Sequence, residues 1–160
     1  MFTECRDAIK ECLELVTGRK AYTSRKKLRL SNESRVIAVL FEEDDLEKDG
    51  SKRIYTDASG KHKRRQKYKR KLIFNAVIGE YTIEEVEKIY DKFLENLPTG
   101  IYVDGNYVSI DPEGADWLDD EDSIIKARCA VQVKIVCDGG VYADTDYKAV
   151  SDVNVTAGKG

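Results

Sequence analysis

Along residues 67–79 the side chains alternate. Tyr68, Arg70, Leu72, Phe74, Ala76 and Ile78 fall on one side, and Lys69, Lys71, Ile73, Asn75 and Val77 on the other. A period of two predicts a β-strand. Its start is strongly basic, whereas from Leu72 to Ile78 both sides are largely apolar, so the strand is expected to leave a solvated hairpin and enter a covered sheet. The period then changes to that of a helix. Thr82 and Glu85 have the spacing of a capping box, and Tyr81 and Val86 that of a hydrophobic staple. Val86, Ile89, Tyr90, Phe93, Leu94 and Leu97 form one apolar stripe, which Pro98 and Gly100 close. This strand–helix unit is architecture; none of its residues forms a chemical motif.

The flanking patterns supply the other elements. Phe2, Cys5, Ile9, Cys12, Leu13 and Val16 predict an amphipathic helix ended by Gly18. Residues 18–34 are polar and basic and read as a loop, with a short edge strand near Leu28. Residues 35–41 (RVIAVLF) form a short β-branched run suited to a central strand. Residues 52–56 and 63–70 are too polar for a core, and the turn composition between them makes them two arms of a projecting hairpin. Asp104-Gly105-Asn106 between apolar arms predicts a tight hairpin over residues 101–110. Residues 111–122 read as an acidic loop from which Trp117 and Leu118 dock on the core. Residues 123–137 alternate as a half-buried strand, and Asp138-Gly139-Gly140 is expected to turn the chain into a return strand. Residues 144–160 alternate only weakly and read as a tail that orders against a neighbour. Together the patterns predict an α+β fold over residues 1–145. A mostly antiparallel sheet is packed by the N-terminal and central helices, with a basic hairpin projecting from it and residues 146–160 as tail.

Composition narrows the function. The 160 residues fit one domain. Charged residues make up 36% of the chain at a net charge of −3, so the overall balance does not announce a nucleic-acid binder. The charges are segregated: residues 42–49 are acidic, 61–71 basic and 111–122 acidic again, a pattern that concerns partner surfaces. Cys5, Cys12, Cys129 and Cys137 lack metal-ligand spacing and are expected as buried reduced thiols. The charged N-terminus is unlike a signal peptide, and no apolar run has membrane length, so a cytoplasmic chain is expected.

Catalytic chemistry finds little support. His62 is the single histidine and lies in the basic turn, so histidine-based acid–base arrangements have no foundation, and no glycine-rich phosphate loop is present. Carboxylates alone could serve a glycosidase or dehydratase, but they cluster in expected loops. The acidic residues 111–122 do not match the ligand pattern of an EF-hand. Neither enzyme activity nor a cofactor is therefore expected. The basic run KHKRRQKYKRK reads in two ways: a phosphate-contacting arm in which Tyr68 stacks on a base, or the solvated part of a long hairpin whose cations meet acidic protein surfaces.

The order of elements resembles the tail terminator (tail completion) proteins of long-tailed bacteriophages and phage-like particles. The resemblance is carried by residues 35–41, by residues 68–97 leading into LPTGIYVDG, and by DSIIKARCAVQVKIVCDGGVY at residues 122–142, and it spans about residues 1–145. It implies a small α+β subunit of the virion, assembled in the host cytoplasm into a ring, typically a hexamer. Such a ring caps the tail tube and joins it to the head connector without catalysis. Its implied partners are further copies of the chain, the tail tube protein and the connector, with genomic DNA close by in the lumen and no membrane. On this expectation Lys63, Arg64, Arg65, Lys67, Lys69 and Arg70 form one interface, and Glu42, Glu43, Asp44 and Asp45 the complementary patch. The alternatives are a small nucleic-acid-binding module that uses the basic hairpin, or another head–tail or baseplate component.

Overall fold

The computed structural model describes residues 1–118, 127 and 129–146. These residues form α1 (Phe2–Thr17), α2 (Arg25–Leu30), β1 (Val36–Lys48), β2 (Lys52–Asp57), β3 (Gly60–Glu80), α3 (Ile83–Asn96), β4 (Gly100–Val103), β5 (Asn106–Leu118) and β6 (Cys129–Asp146). The strands make one six-stranded sheet in the order β1-β3-β6-β5-β4, with β2 running alongside β3 beyond the end of β1. All these strand pairs are antiparallel. The expected α+β architecture is thus present.

Alternation along β3 and β6 divides the core in two. Leu72, Phe74, Ala76 and Ile78 of β3, with Val131, Val133, Ile135 and Cys137 of β6, face α1 and α3. Ile9 and Leu13 of α1 and Phe93 of α3 are fully buried against them, each worth about 1.5–3 kcal/mol of apolar burial. On the opposite face Val36, Ala38, Leu40, Val77 and Ala130 are covered by Leu28 of α2 and by Ala127. The inner end of β3 is therefore buried on both sides, as its sequence predicts. Three of the four thiols, those of Cys5, Cys12 and Cys137, are buried, and all four cysteines are unbridged.

Local signals set the helix ends. Gly18 takes φ 69° and returns its N–H to Glu14 O at 2.8 Å, a left-handed cap that costs glycine little. The Thr82 hydroxyl accepts from the Glu85 backbone N–H at 3.3 Å and donates to the Glu85 carboxylate at 3.1 Å. Val86 is buried, but Tyr81 is half-exposed and carries the Arg35 guanidinium 5.8 Å from its ring centre. In the β4–β5 hairpin, Asp104 and Gly105 have φ 49° and 74°, the paired positive angles of a tight turn.

Four expectations are corrected. The loop at residues 18–34 contains α2, whose Leu28 is buried and whose N-terminus is capped by Ser24; only a single bridge, Tyr22 to Ala38, takes the place of the edge strand. Residues 111–118 are not a loop but the second half of β5. There Leu118 packs on the second core cluster, while Trp117 stays half-exposed, edge-on to Tyr90 at 5.6 Å. The acidic residues 42–48 continue β1, because cross-strand cations make a charged strand tolerable. Asp138-Gly139-Gly140 does not turn: β6 runs straight through it. Its glycines serve close approach instead. A Cβ on Gly139 would lie 2.9 Å from Val108 and 3.0 Å from Met1, and one on Gly140 would lie 2.5 Å from Gln66 and 2.9 Å from the Tyr142 ring. Of the expected half-buried strand over residues 123–137, the described part begins at Cys129. Of the residues expected as a tail, 144–146 continue β6, and the rest lie outside the described residues.

At one level the sheet changes character. β1 gives way to β2 across residues 49–51, β3 carries an extra residue at Lys67, and β6 presents Gly139 and Gly140. Backbone bonds from Asp49 N to Lys67 O and from Gln66 N to Ser51 O, each 3.0 Å, carry the ladder across this level. Beyond it stands a three-stranded arm of β2, the start of β3 and the end of β6. In it β2 and the start of β3 pair antiparallel, with the end of β6 as a third strand.

Candidate functional site

The arm's register sorts its side chains. Directly opposed residues share a face and successive residues alternate. Lys52 opposes Arg65 and Ile54 opposes Lys63, so these four share one face. Arg53, Tyr55, His62, Arg64 and Gln66 share the other, with Tyr142 and Asp144 of β6.

On the second face Arg64 and His62 are engaged internally, whereas Arg53, among the described residues, makes no ion pair. Arg64 donates from Nε to Asp144 Oδ1 at 2.7 Å and from Nη2 to Asp144 Oδ2 at 2.8 Å. Its Nη1 reaches Asn106 Oδ1 at 2.9 Å and so ties the arm to the β4–β5 hairpin. The pair holds Asp144 below the usual carboxylate range and raises Arg64 above its ordinary value. His62 stacks on Tyr55 at 5.2 Å, and its Nε2 lies 2.8 Å from Ser59 Oγ and 2.9 Å from Asp57 Oδ1. Hydrogen bonds from the hydroxyl and the backbone N–H of Ser59 lower Asp57 to about 2. The single histidine is thus a turn-stabilising residue at the arm's tip.

The first face is not neutralised. Among the described residues, no ion pair reaches Lys52, Lys63 or Arg65, and Ile54 beside them is 55% exposed. That face therefore carries three cations without ion pairs around one exposed isoleucine.

The expected acidic patch is the immediate neighbour of the basic strand in the same chain. Asp44 pairs with Arg70, whose Nε and Nη2 donate at 2.9 and 2.5 Å, and this lowers Asp44 and raises Arg70. Glu42 occupies a β-bulge and accepts from Arg25 and from Asn75 Nδ2. Asp45 opposes Lys71, and Glu47 opposes Lys69. Glu43 shares their face and is exposed, while Lys67 is exposed at the bulge of β3. Two of the ten expected interface residues, Arg70 and Asp44, are therefore spent on each other. Arg64 is held by Asp144, and Lys63 and Arg65 remain open.

Sequence reasoning missed three features. Asp144 fell in the expected tail, although its alternation with Tyr142 continues that of β6 past the glycines. Glu80 is fully buried at the end of β3, held by Arg19 and by Arg35 Nε at 2.7 Å; its signal was a carboxylate closing an apolar run. Finally, Arg53, Arg64, Tyr102, Tyr107 and Tyr142 line a cleft of about 490 Å³ between the arm and the β4–β5 hairpin. That grouping exists only once β4 and β5 are placed against β6.

No protein-family model matches the chain, and no curated protein matches it. Among the described residues, no helix is long and apolar enough to cross a membrane.

Proposed function

We propose that this chain is a structural subunit of a tail terminator, assembling into a closed ring, typically a hexamer, that caps the tail tube of a phage and joins it to the head connector. The observation that carries the reading is the segregation of exposed charge. Lys52, Lys63 and Arg65 crowd one face of a projecting arm, while Glu43, Asp45 and Glu47 lie exposed on a strand at the edge of the body. A ring closes through a heterologous contact, in which two different patches of one subunit meet the complementary patches of its neighbours. Opposite charges on separate parts of one chain suit such a contact, because they steer subunits together and reject the wrong register.

The resemblance in element order supplies the setting. The mechanism is assembly: one surface of the ring mates with the tube end, and the opposite surface lacks what another tube ring would need. The test is the native mass of the protein, alone and with its tail tube protein. A closed ring near six copies, formed alone or on tube ends, is the expected result. A monomer indifferent to tubes would overturn the reading.

A further inference from the structure

We propose that the cleft between the arm and the β4–β5 hairpin binds single-stranded nucleic acid, with a base stacked on Tyr102 and a phosphate at Arg53. This site lies on the other face of the arm from Lys63 and Arg65, and shares with their face only Lys52, which also lines the cleft. Its volume, about 490 Å³, lies in the range of small-ligand sites.

Two of its wall residues, Arg64 and Tyr107, are fixed before any ligand arrives. Arg64 is committed to Asp144 and Asn106, and its guanidinium lies 5.9 Å from the Tyr142 ring centre, so it forms the back of the cleft. On the hairpin side Tyr102 and Tyr107 are cross-strand neighbours on a tight turn, edge-on to each other at 5.4 Å. The Tyr107 hydroxyl donates to Thr99 O at 3.0 Å, which locks that ring. Tyr102 has no such anchor and is 76% exposed, the most exposed aromatic ring among the described residues. On the arm side Arg53 is exposed and, among the described residues, makes no ion pair. The side chains lining the cleft include no carboxylate.

The chemistry of the occupant follows from that combination. An acidic peptide would engage Arg53 but leave the open face of Tyr102 without a flat partner. A nucleotide brings both a phosphate and a planar base, and stacking platforms beside cations are how proteins hold unpaired strands. The base must be unpaired, because a duplex keeps its base faces within the stack. The Gln66 amide lining the same cleft offers a donor and an acceptor to a base edge.

The experiment is fluorescence anisotropy of a labelled oligothymidylate with the full chain, at low and at near-physiological salt. Binding is expected that weakens as salt rises and resists competition by duplex DNA. Tyr102→Ala should weaken it roughly five- to a hundredfold, while Tyr102→Phe keeps it. Arg53→Ala should lower the slope of log affinity against log salt by about one. Absence of binding at low salt overturns the proposal. So does wild-type affinity in both Tyr102→Ala and Arg53→Ala, which would assign any binding to diffuse attraction by the arm. If Tyr102→Ala abolishes self-assembly but leaves oligonucleotide affinity unchanged, the cleft is a subunit contact and the proposal is wrong.

Discussion

Arg64 and Asp144 are joined side by side across β3 and β6, through bonds of 2.7 and 2.8 Å, and the third donor of Arg64 reaches Asn106 in the β4–β5 turn. One guanidinium therefore connects the arm to a hairpin that otherwise meets β6 only farther down the sheet. Arg64→Ala is expected to free both. Backbone amides of residues 62–66 and 103–106 should exchange faster with solvent, while those of the buried parts of β3 and β6 keep their protection. Unchanged protection at the arm would show that the backbone ladder alone holds it.

Acid should loosen the arm before the body. Asp57 is lowered from an ordinary 3.8 to about 2 by hydrogen bonds from Ser59, and Asp144 is lowered chiefly by Arg64. A carboxylate whose folded value is depressed contributes stability above its unfolded value and loses it as pH falls through the folded one. The arm's contribution is thus complete above about pH 4 and fades toward about pH 2. Titration followed by NMR should show tip resonances shifting in that window while resonances of Phe74 and Phe93 stay fixed. Simultaneous loss of both sets would refute a separable arm.

Glu80 offers a test at the other end of β3. It is fully buried, and both its oxygens are engaged, by Arg19 and by Arg35. Glu80→Gln keeps the shape but removes the charge and turns amide hydrogens toward one of the two guanidinium groups, leaving the other on the amide oxygen. The expected loss is about 1–3 kcal/mol, the range for spoiling a buried polar arrangement, read as a fall in the urea midpoint. A loss of a few tenths would mean that the arginines find water as readily as they find the carboxylate.

Gly100 tests the geometry beneath the cleft. A Cβ there would lie 2.5 Å from Val108 O and clash with the Tyr107 hydroxyl, so the hairpin has no room for it. Gly100→Ala is expected to cost about 1–3 kcal/mol, as other overpacked positions do. Gly50, where a Cβ meets nothing within 4 Å, is the control, and Gly50→Ala should stay within about 0.5 kcal/mol of the parent.

The parts legible in the sequence are those in which local chemistry and burial agree. The alternation of Leu72 to Ile78, the Thr82 cap, the Gly18 stop and the Asp104-Gly105 turn each have one physical solution, and the fold adopts it. Misreadings arose where a residue type has two uses. Gly139 and Gly140 look like a turn, but they leave room for Met1, Val108 and Gln66. The carboxylates of residues 42–47 look like a loop until Lys69 and Lys71 stand opposite them. Of the expected interface, charge segregation was visible in the chain. Which charges remain open depends on register: Arg70 and Arg64 are consumed by Asp44 and Asp144, and only strand pairing determines that.

That register turns the ring proposal into a charge-exchange experiment. Lys63→Glu with Arg65→Glu should prevent ring closure, because the altered arm would meet Glu43, Asp45 and Glu47 of a neighbour as like charges. Glu43→Lys with Asp45→Lys should do the same from the other side. The second pair sets a lysine opposite Lys71, a local cross-strand cost of about 1 kcal/mol at most, which a thermal melt of the monomer would report. The decisive chain carries all four changes. If the two patches meet between subunits, exchanged charges attract again, and the native mass in the presence of tube protein returns to that of the ring. If each pair alone disrupts the ring and the four together do not restore it, the patches contact something other than each other. If none of the variants alters assembly, the open charges of the arm serve another partner, and the ring reading loses the observation that carries it.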